Sequence, residues 1–195
     1  MVWTKATSVD GDGTSAFDSG AFTPYLFMQI LNFTEATTTL NDYLRVGNTT
    51  IDSGSNYAWN SAQNGSTNST DTSRSEGFIN QSATSDAGET GFRVHYIINI
   101  SSKEKLLLGY VMDQVASGSG TAPNRREVAC KYVNTSAQID IVGSYTASGT
   151  YNANSNISVL GSEGTESLNV QDGAIYYDTD LNKEYVLYNN TWTEV

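Results

Sequence analysis

The sequence predicts an all-β protein: an antiparallel two-sheet jelly-roll sandwich over residues 1–161, followed by a small three-stranded β module at 162–195. Three observations predict it. From Phe92 to Ile100, large apolar residues fall at every second position (Phe92, Val94, Tyr96, Ile98, Ile100), the period of an extended strand. Similar segments recur through the first 160 residues, and no stretch carries a helical apolar period of ordinary length. Between them lie runs of Ser, Thr, Asn and Gly; Ser, Thr and Asn alone make up roughly a third of the 195 residues, and their side chains favour turns and polar loops.

Each element follows from local pattern. Residues 1–20 read as a polar N-terminal arm with one apolar anchor, Trp3. Ala21–Phe33 reads as a strand covered on both sides, with Tyr25, Phe27, Leu31 and Phe33 on one face and Leu26, Met28 and Ile30 on the other. Leu40–Val46 is a shorter strand closed by a Gly47-Asn48 turn. Residues 60–76 carry no apolar pattern and read as a long loop, a length that usually signals disorder or a functional surface. Phe78-Ile79 resumes a short strand. The Phe92–Ile100 strand is expected to turn its five apolar side chains into the core, leaving Arg93, His95 and Ile97 opposite.

Lys105–Val115 contains good helix formers, yet Leu106, Leu108, Tyr110 and Met112 alternate and Gly109 interrupts, which favours a strand. Arg126–Tyr132, Ala137–Ile141 and Asn156–Leu160 complete about eight strands at sandwich-like spacing. After a small-residue linker from Ser162, Ala174–Tyr177, Glu184–Tyr188 and Thr191–Val195 form three short strands. Asp178–Lys183 and Asn189-Asn190 supply their turns.

Composition narrows the function. The net charge is −11 with a pI near 4.3, which argues against nucleic acid and anionic membrane as partners, since both require clustered Lys or Arg. Cys130 is the single cysteine, so no internal disulfide is available, and its alternation with Val128 and Tyr132 predicts a buried thiol. The N-terminus carries no signal-peptide pattern and no apolar run reaches membrane-spanning length; synthesis in a cytoplasm is expected.

Chemistry is sparse. The lone His95 has no nucleophile or orienting carboxylate in its motif context. With one His and one Cys, an ordinary zinc site is excluded. Asp178-Thr-Asp180-Leu-Asn182 opens like a calcium loop, but Lys183 stands where the sharp-turn glycine belongs, so a solvated turn is the better reading. No cofactor motif and no catalytic set is found, and the chain reads as a non-enzyme. Tyr57 and Trp59, at the border of the long polar loop, are the candidate ligand or partner contacts. They suit either an aromatic platform for a sugar or a plug at the end of a sandwich.

Val133-Asn-Thr-Ser-Ala-Gln-Ile-Asp-Ile141, the closing Asn154-Ser-Asn-Ile-Ser-Val-Leu-Gly161 and the turn Ile51-Asp-Ser-Gly-Ser-Asn-Tyr57 resemble jelly-roll virion proteins of tailed phages. The ending Asp172-Gly-Ala-Ile-Tyr-Tyr-Asp-Thr-Asp, with Trp192, is similar to a terminal module of phage tail and head-fibre proteins. Val159-Leu160 departs from the Leu-Tyr pair that often closes the series. The resemblance implies a virion location and a capsid decoration (cement) protein whose partner is the major capsid protein or another virion protein. The alternative it implies is a tail-fibre or receptor-binding protein that recognises a host surface glycan, which the absence of a heptad repeat or long shaft disfavours. A homo-oligomer, such as a trimer, fits both.

Overall fold

The computed structural model describes residues 2–35, 42–78, 90–163, 173–188 and 191–195. They contain strands and no helix, and every strand pairing is antiparallel. The strands are β1 (Thr4–Asp10), β2 (Ala16–Asp18), β3 (Phe27–Glu35), β4 (Asp42–Asn48), β5 (Thr50–Ile51), β6 (Tyr57–Gln63), β7 (Ser69–Arg74), β8 (Gly77–Phe78), β9 (Thr90–Ile98), β10 (Lys105–Asp113), β11 (Asn124–Tyr132), β12 (Ile141–Thr146), β13 (Asn156–Ser162), β14 (Ile175–Asp178), β15 (Lys183–Tyr188) and β16 (Thr191–Glu194).

An eight-stranded sheet runs β1-β13-β3-β9-β10-β11-β6-β7. A five-stranded sheet runs β2-β12-β4-β5, with β8 also on β4. The two share one core: Met28, Ile30, Ile97, Leu107, Val111, Val128, Ile157 and Val159 from the large sheet meet Phe17, Leu44, Val46 and Val142 from the small one. These residues belong to a compact unit, Trp3–Glu163; a second unit, Gly164–Val195 together with Val2, holds the three-stranded sheet β14-β15-β16.

Several expectations need correction. The polar arm at 1–20 is two strands, β1 and β2, recruited by ladder bonds to β13 and β12 rather than by apolar patterning. Residues 60–76 are not a loop: most of them form the hairpin β6–β7, with Asn64 and Gly65 both at positive φ (50° and 76°). Asn-Gly at such a tip matches the right-handed twist of the flanking strands, and the Ser66 amide donates to the Gln63 carbonyl at 2.8 Å. Gly47-Asn48 lies within β4 rather than in a turn; the chain reverses at Thr49, whose φ is 63°. Residues 137–140 are not a strand, because Asn99 holds that segment by its side chain: its amide donates to the Ile139 carbonyl and its Oδ1 accepts from the Ile139 amide. Leu40, Ile79, Asn189, Asn190 and most of the linker lie outside the described residues.

The largest correction concerns direction. Phe92, Tyr96, Ile98 and Ile100 are exposed, whereas Arg93, His95, Ile97 and Asn99 are buried. The same holds on β10, where Leu106, Leu108, Tyr110 and Met112 point outward and Lys105, Leu107, Val111 and Asp113 inward. Alternation defines two faces but not which one meets the other sheet. Here the inward polar groups all find partners or space. Arg93 Nη1 lies 2.5 Å from Asp42 Oδ2 on β4 and donates to Thr34 Oγ1 at 2.5 Å. Lys105 Nζ donates to the carbonyls of Ser101, Lys103 and Asn134 at 3.2, 2.7 and 2.7 Å. His95 fits because its neighbour on β10 is Gly109: a β-carbon there would lie 2.5 Å from His95 Cδ2.

Candidate functional site

The outward face of β3, β9 and β10 is built in four cross-strand rows, Phe27–Ile98–Leu106, Gln29–Tyr96–Leu108, Leu31–Val94–Tyr110 and Phe33–Phe92–Met112. Side chains directly opposite on neighbouring strands lie close enough to touch, so the rows form one continuous surface. It contains no charged residue. Leu106 is 58 % exposed and Leu108, Tyr110 and Met112 about half exposed (49, 50 and 49 %). Trp3, on the segment entering β1, also borders it, and the Gln29 amide donates to the Tyr96 hydroxyl at 3.3 Å.

Two hollows mark this face. One of about 440 Å³ is lined by Trp3, Phe27, Tyr96, Ile98, Leu106 and Leu108, among others; a second of about 200 Å³ is lined by Phe92, Val94, Tyr110, Met112 and the flanking Arg125 and Glu127. The border is uneven. On the β11 side, Met112, Tyr110, Leu108 and Leu106 pair with Arg125, Glu127, Ala129 and Lys131, and Lys131 is bonded to Glu104 at 3.1 Å. On the β13 side the neighbours are Asn156, Ser158 and Leu160.

The underside of the same strands is electrostatically constrained. Burial pushes the Asp42 carboxyl above the usual carboxylate range, against the pull of Arg93 and a hydrogen bond from the Tyr151 hydroxyl at 2.5 Å. Burial, helped by Arg93, drives the His95 imidazole down to about 3, so it is neutral throughout the physiological range. Burial likewise lowers the Lys105 ammonium. None of these groups opens to the outer face.

Tyr57 and Trp59 lie elsewhere. Tyr57 is buried (1 % exposed) and stacks on Tyr132 with ring centroids 5.0 Å apart. Its hydroxyl donates toward the Val46 and Asp52 carbonyls and accepts from the Val46 amide, so a sugar has no access to its ring. Trp59 is partly buried against the same core. Of the two readings, the plug describes Tyr57. Burial pushes the neighbouring Tyr132 phenol up to about 12, and its hydroxyl donates to Asp52 Oδ2 at 2.9 Å.

An exposed aromatic cluster occurs in the C-terminal unit instead. Tyr176 stacks on Tyr185 at 6.3 Å and meets Trp192 edge-on at 6.0 Å. These rings and Asp178 line a hollow of about 380 Å³. The turn beside it is held by Asp178 Oδ1, which accepts from the Asp180 and Leu181 amides at 3.0 Å each. Among the described residues no group of three or more His, Cys, Asp or Glu is placed to hold a metal ion. The chain matches no family model, no curated protein and no solved structure.

Apolar alternation alone sends the residues of the outer face to the core. The signal that identifies the outer face is the inner one: Arg93, His95, Asn99, Lys105 and Asp113 alternate with the apolar series, Arg93 pairing with Asp42 and Asp113 on other strands and Asn99 and Lys105 bonding to loop backbone.

Proposed function

We propose that this chain is a jelly-roll structural protein of a phage virion, a capsid decoration protein that binds the assembled head. The observation that carries the reading is the uncharged, partly exposed face of β3, β9 and β10, which marks a chain built to assemble with other subunits rather than to act alone. Ordinary monomers expose contiguous apolar patches of about 300–600 Å², and larger ones mark protein contacts. A surface of this kind does its work by lasting association, and repetition on a shell multiplies weak contacts.

The strand order supports the jelly-roll reading. β1-β13-β3-β9 adjoin in the large sheet and β2-β12-β4-β5 in the small one, so β1 to β4, and again β12 and β13, alternate between sheets. Such alternation is what the double Greek key of a jelly roll requires, and on this reading β10, β11, β6 and β7 extend one sheet past β9. Mixing the purified chain with expanded capsids of the phage that encodes it is the test. Co-sedimentation and a raised capsid melting temperature are expected; bare capsids melting unchanged would overturn the reading.

The aromatic cluster of the C-terminal unit favours a second reading, a receptor-binding protein for a host glycan, because exposed rings beside a carboxylate suit the apolar face and hydroxyls of a sugar. Selective glycan-array binding lost in Trp192→Ala would promote it.

A further inference from the structure

We propose that the outer face of β3, β9 and β10 is covered by a second copy of this chain, in a closed homo-oligomer. This rests on reading the chain as an assembling structural protein, and it names the partner of that face.

Area is the first argument. With a large side chain presenting roughly 200 Å² when free, the exposed members of the rows, Phe33, Phe92, Tyr96, Ile98, Leu106, Leu108, Tyr110 and Met112, leave on the order of 800 Å², one partner's share of a standard interface.

Charge is the second. Copies of a chain carrying −11 repel one another, so self-contact requires a surface from which that charge is absent. The rows hold no charge. Their β11 border balances Arg125 and Lys131 against Glu127 and Glu104. A partner held by attraction to an acidic protein would need net acid at this border, and the border is balanced; a second copy meets its own mixture, with Arg125 able to face Glu127 of the other chain.

Shape is the third. The two hollows, beside Tyr96 and Leu108 and beside Tyr110 and Met112, give side chains of the second copy somewhere to lodge. Because each copy brings one such face, face-to-face contact closes on itself as a two-fold pair instead of propagating.

The test is the solution mass of the full chain and of two variants, Leu108→Glu and Met112→Lys, whose opposite charges separate desolvation from net-charge effects. Ser66→Glu, at the exposed tip of the β6–β7 hairpin, is the control. The wild type and the control should show at least twice 21.1 kDa, and both face variants should fall to 21.1 kDa with wild-type circular dichroism. A monomeric wild type, or face variants that keep the oligomeric mass, would overturn the proposal. A monomer that still co-sediments with capsids defeats this inference alone; an oligomer that leaves capsids bare defeats the capsid reading alone.

Discussion

Arg93 on β9 and Asp42 on β4 meet across the core, Nη1 to Oδ2 at 2.5 Å, with each side chain 1 % exposed. This pair ties the large sheet to the small one. It also determines which side of β9 faces inward, because a guanidinium that has found its carboxylate inside the protein cannot be turned out without stranding the acid.

Removing one partner of such a pair leaves the other buried and uncompensated, at a cost of about 3–5 kcal/mol. Arg93→Met is therefore expected to lower the urea midpoint sharply. Replacing both, as Arg93→Met with Asp42→Leu, should recover most of the loss, since a well-packed apolar pair is often as stable as a buried ion pair. Equal midpoints for the single and double variants would contradict the assignment.

His95 gives the fold a defined acid sensitivity. Its ordinary pKa of 6.5 falls to about 3 in the folded chain. Above pH 6.5 the ring is neutral in both states and contributes nothing to the pH dependence. Below it, the unfolded chain takes up a proton that the buried ring refuses. Stability therefore drops as pH falls from 6.5 toward 3, at a slope approaching about 1.4 kcal/mol per pH unit. Asp42, raised by burial, acts in the opposite sense as it gains a proton. The readout is accordingly a difference: denaturation midpoints at pH 7 and pH 5 should converge in His95→Leu relative to wild type.

Gly109 is expected to tolerate no side chain. A β-carbon would meet His95 Cδ2 at 2.5 Å and Nε2 at 2.7 Å, and both residues are held in register by the β9–β10 ladder. Overpacking of this sort costs roughly 1–3 kcal/mol. Gly109→Ala should show that loss by thermal unfolding, and His95→Ala in the same chain should reduce it. Strict additivity of the two changes would argue against the contact.

Tyr57→Phe removes a hydroxyl that bridges the amide and carbonyl of Val46 and the carbonyl of Asp52. Unsatisfied buried backbone groups cost about 1–3 kcal/mol, so a destabilised fold with intact oligomeric mass is expected. Unchanged stability would show that Tyr57 is not a structural plug.

The strands were legible where alternation and ladder coincide. β9, β10, β11 and β13 follow their apolar series to within a few residues, and the all-β class with them. What alternation cannot carry is sign. On β9 the stronger apolar series lies on the face away from the small sheet, and only the location of Asp42, Asp113 and Thr34 around Arg93 reveals that the polar series goes in. These contacts join β9 to β4, β10 and β3, and no local window contains them. The β6–β7 hairpin was hidden for a different reason: its strands are nearly all polar, and its legible signal was the Asn64-Gly65 pair alone. Tyr57 stays open between a sugar platform and a sandwich plug until β6 is recognised, after which its pairing with Tyr132 of β11 brings it into the core.

Adjacent residues on β10 test the inverted sheet most directly. Leu107 is 3 % and Leu108 49 % exposed, so Leu107→Glu should abolish the near-ultraviolet circular dichroism of the folded chain while Leu108→Glu preserves it and the melting behaviour of the subunit fold. A folded Leu107→Glu protein beside an unfolded Leu108→Glu protein would mean that the apolar series points inward after all.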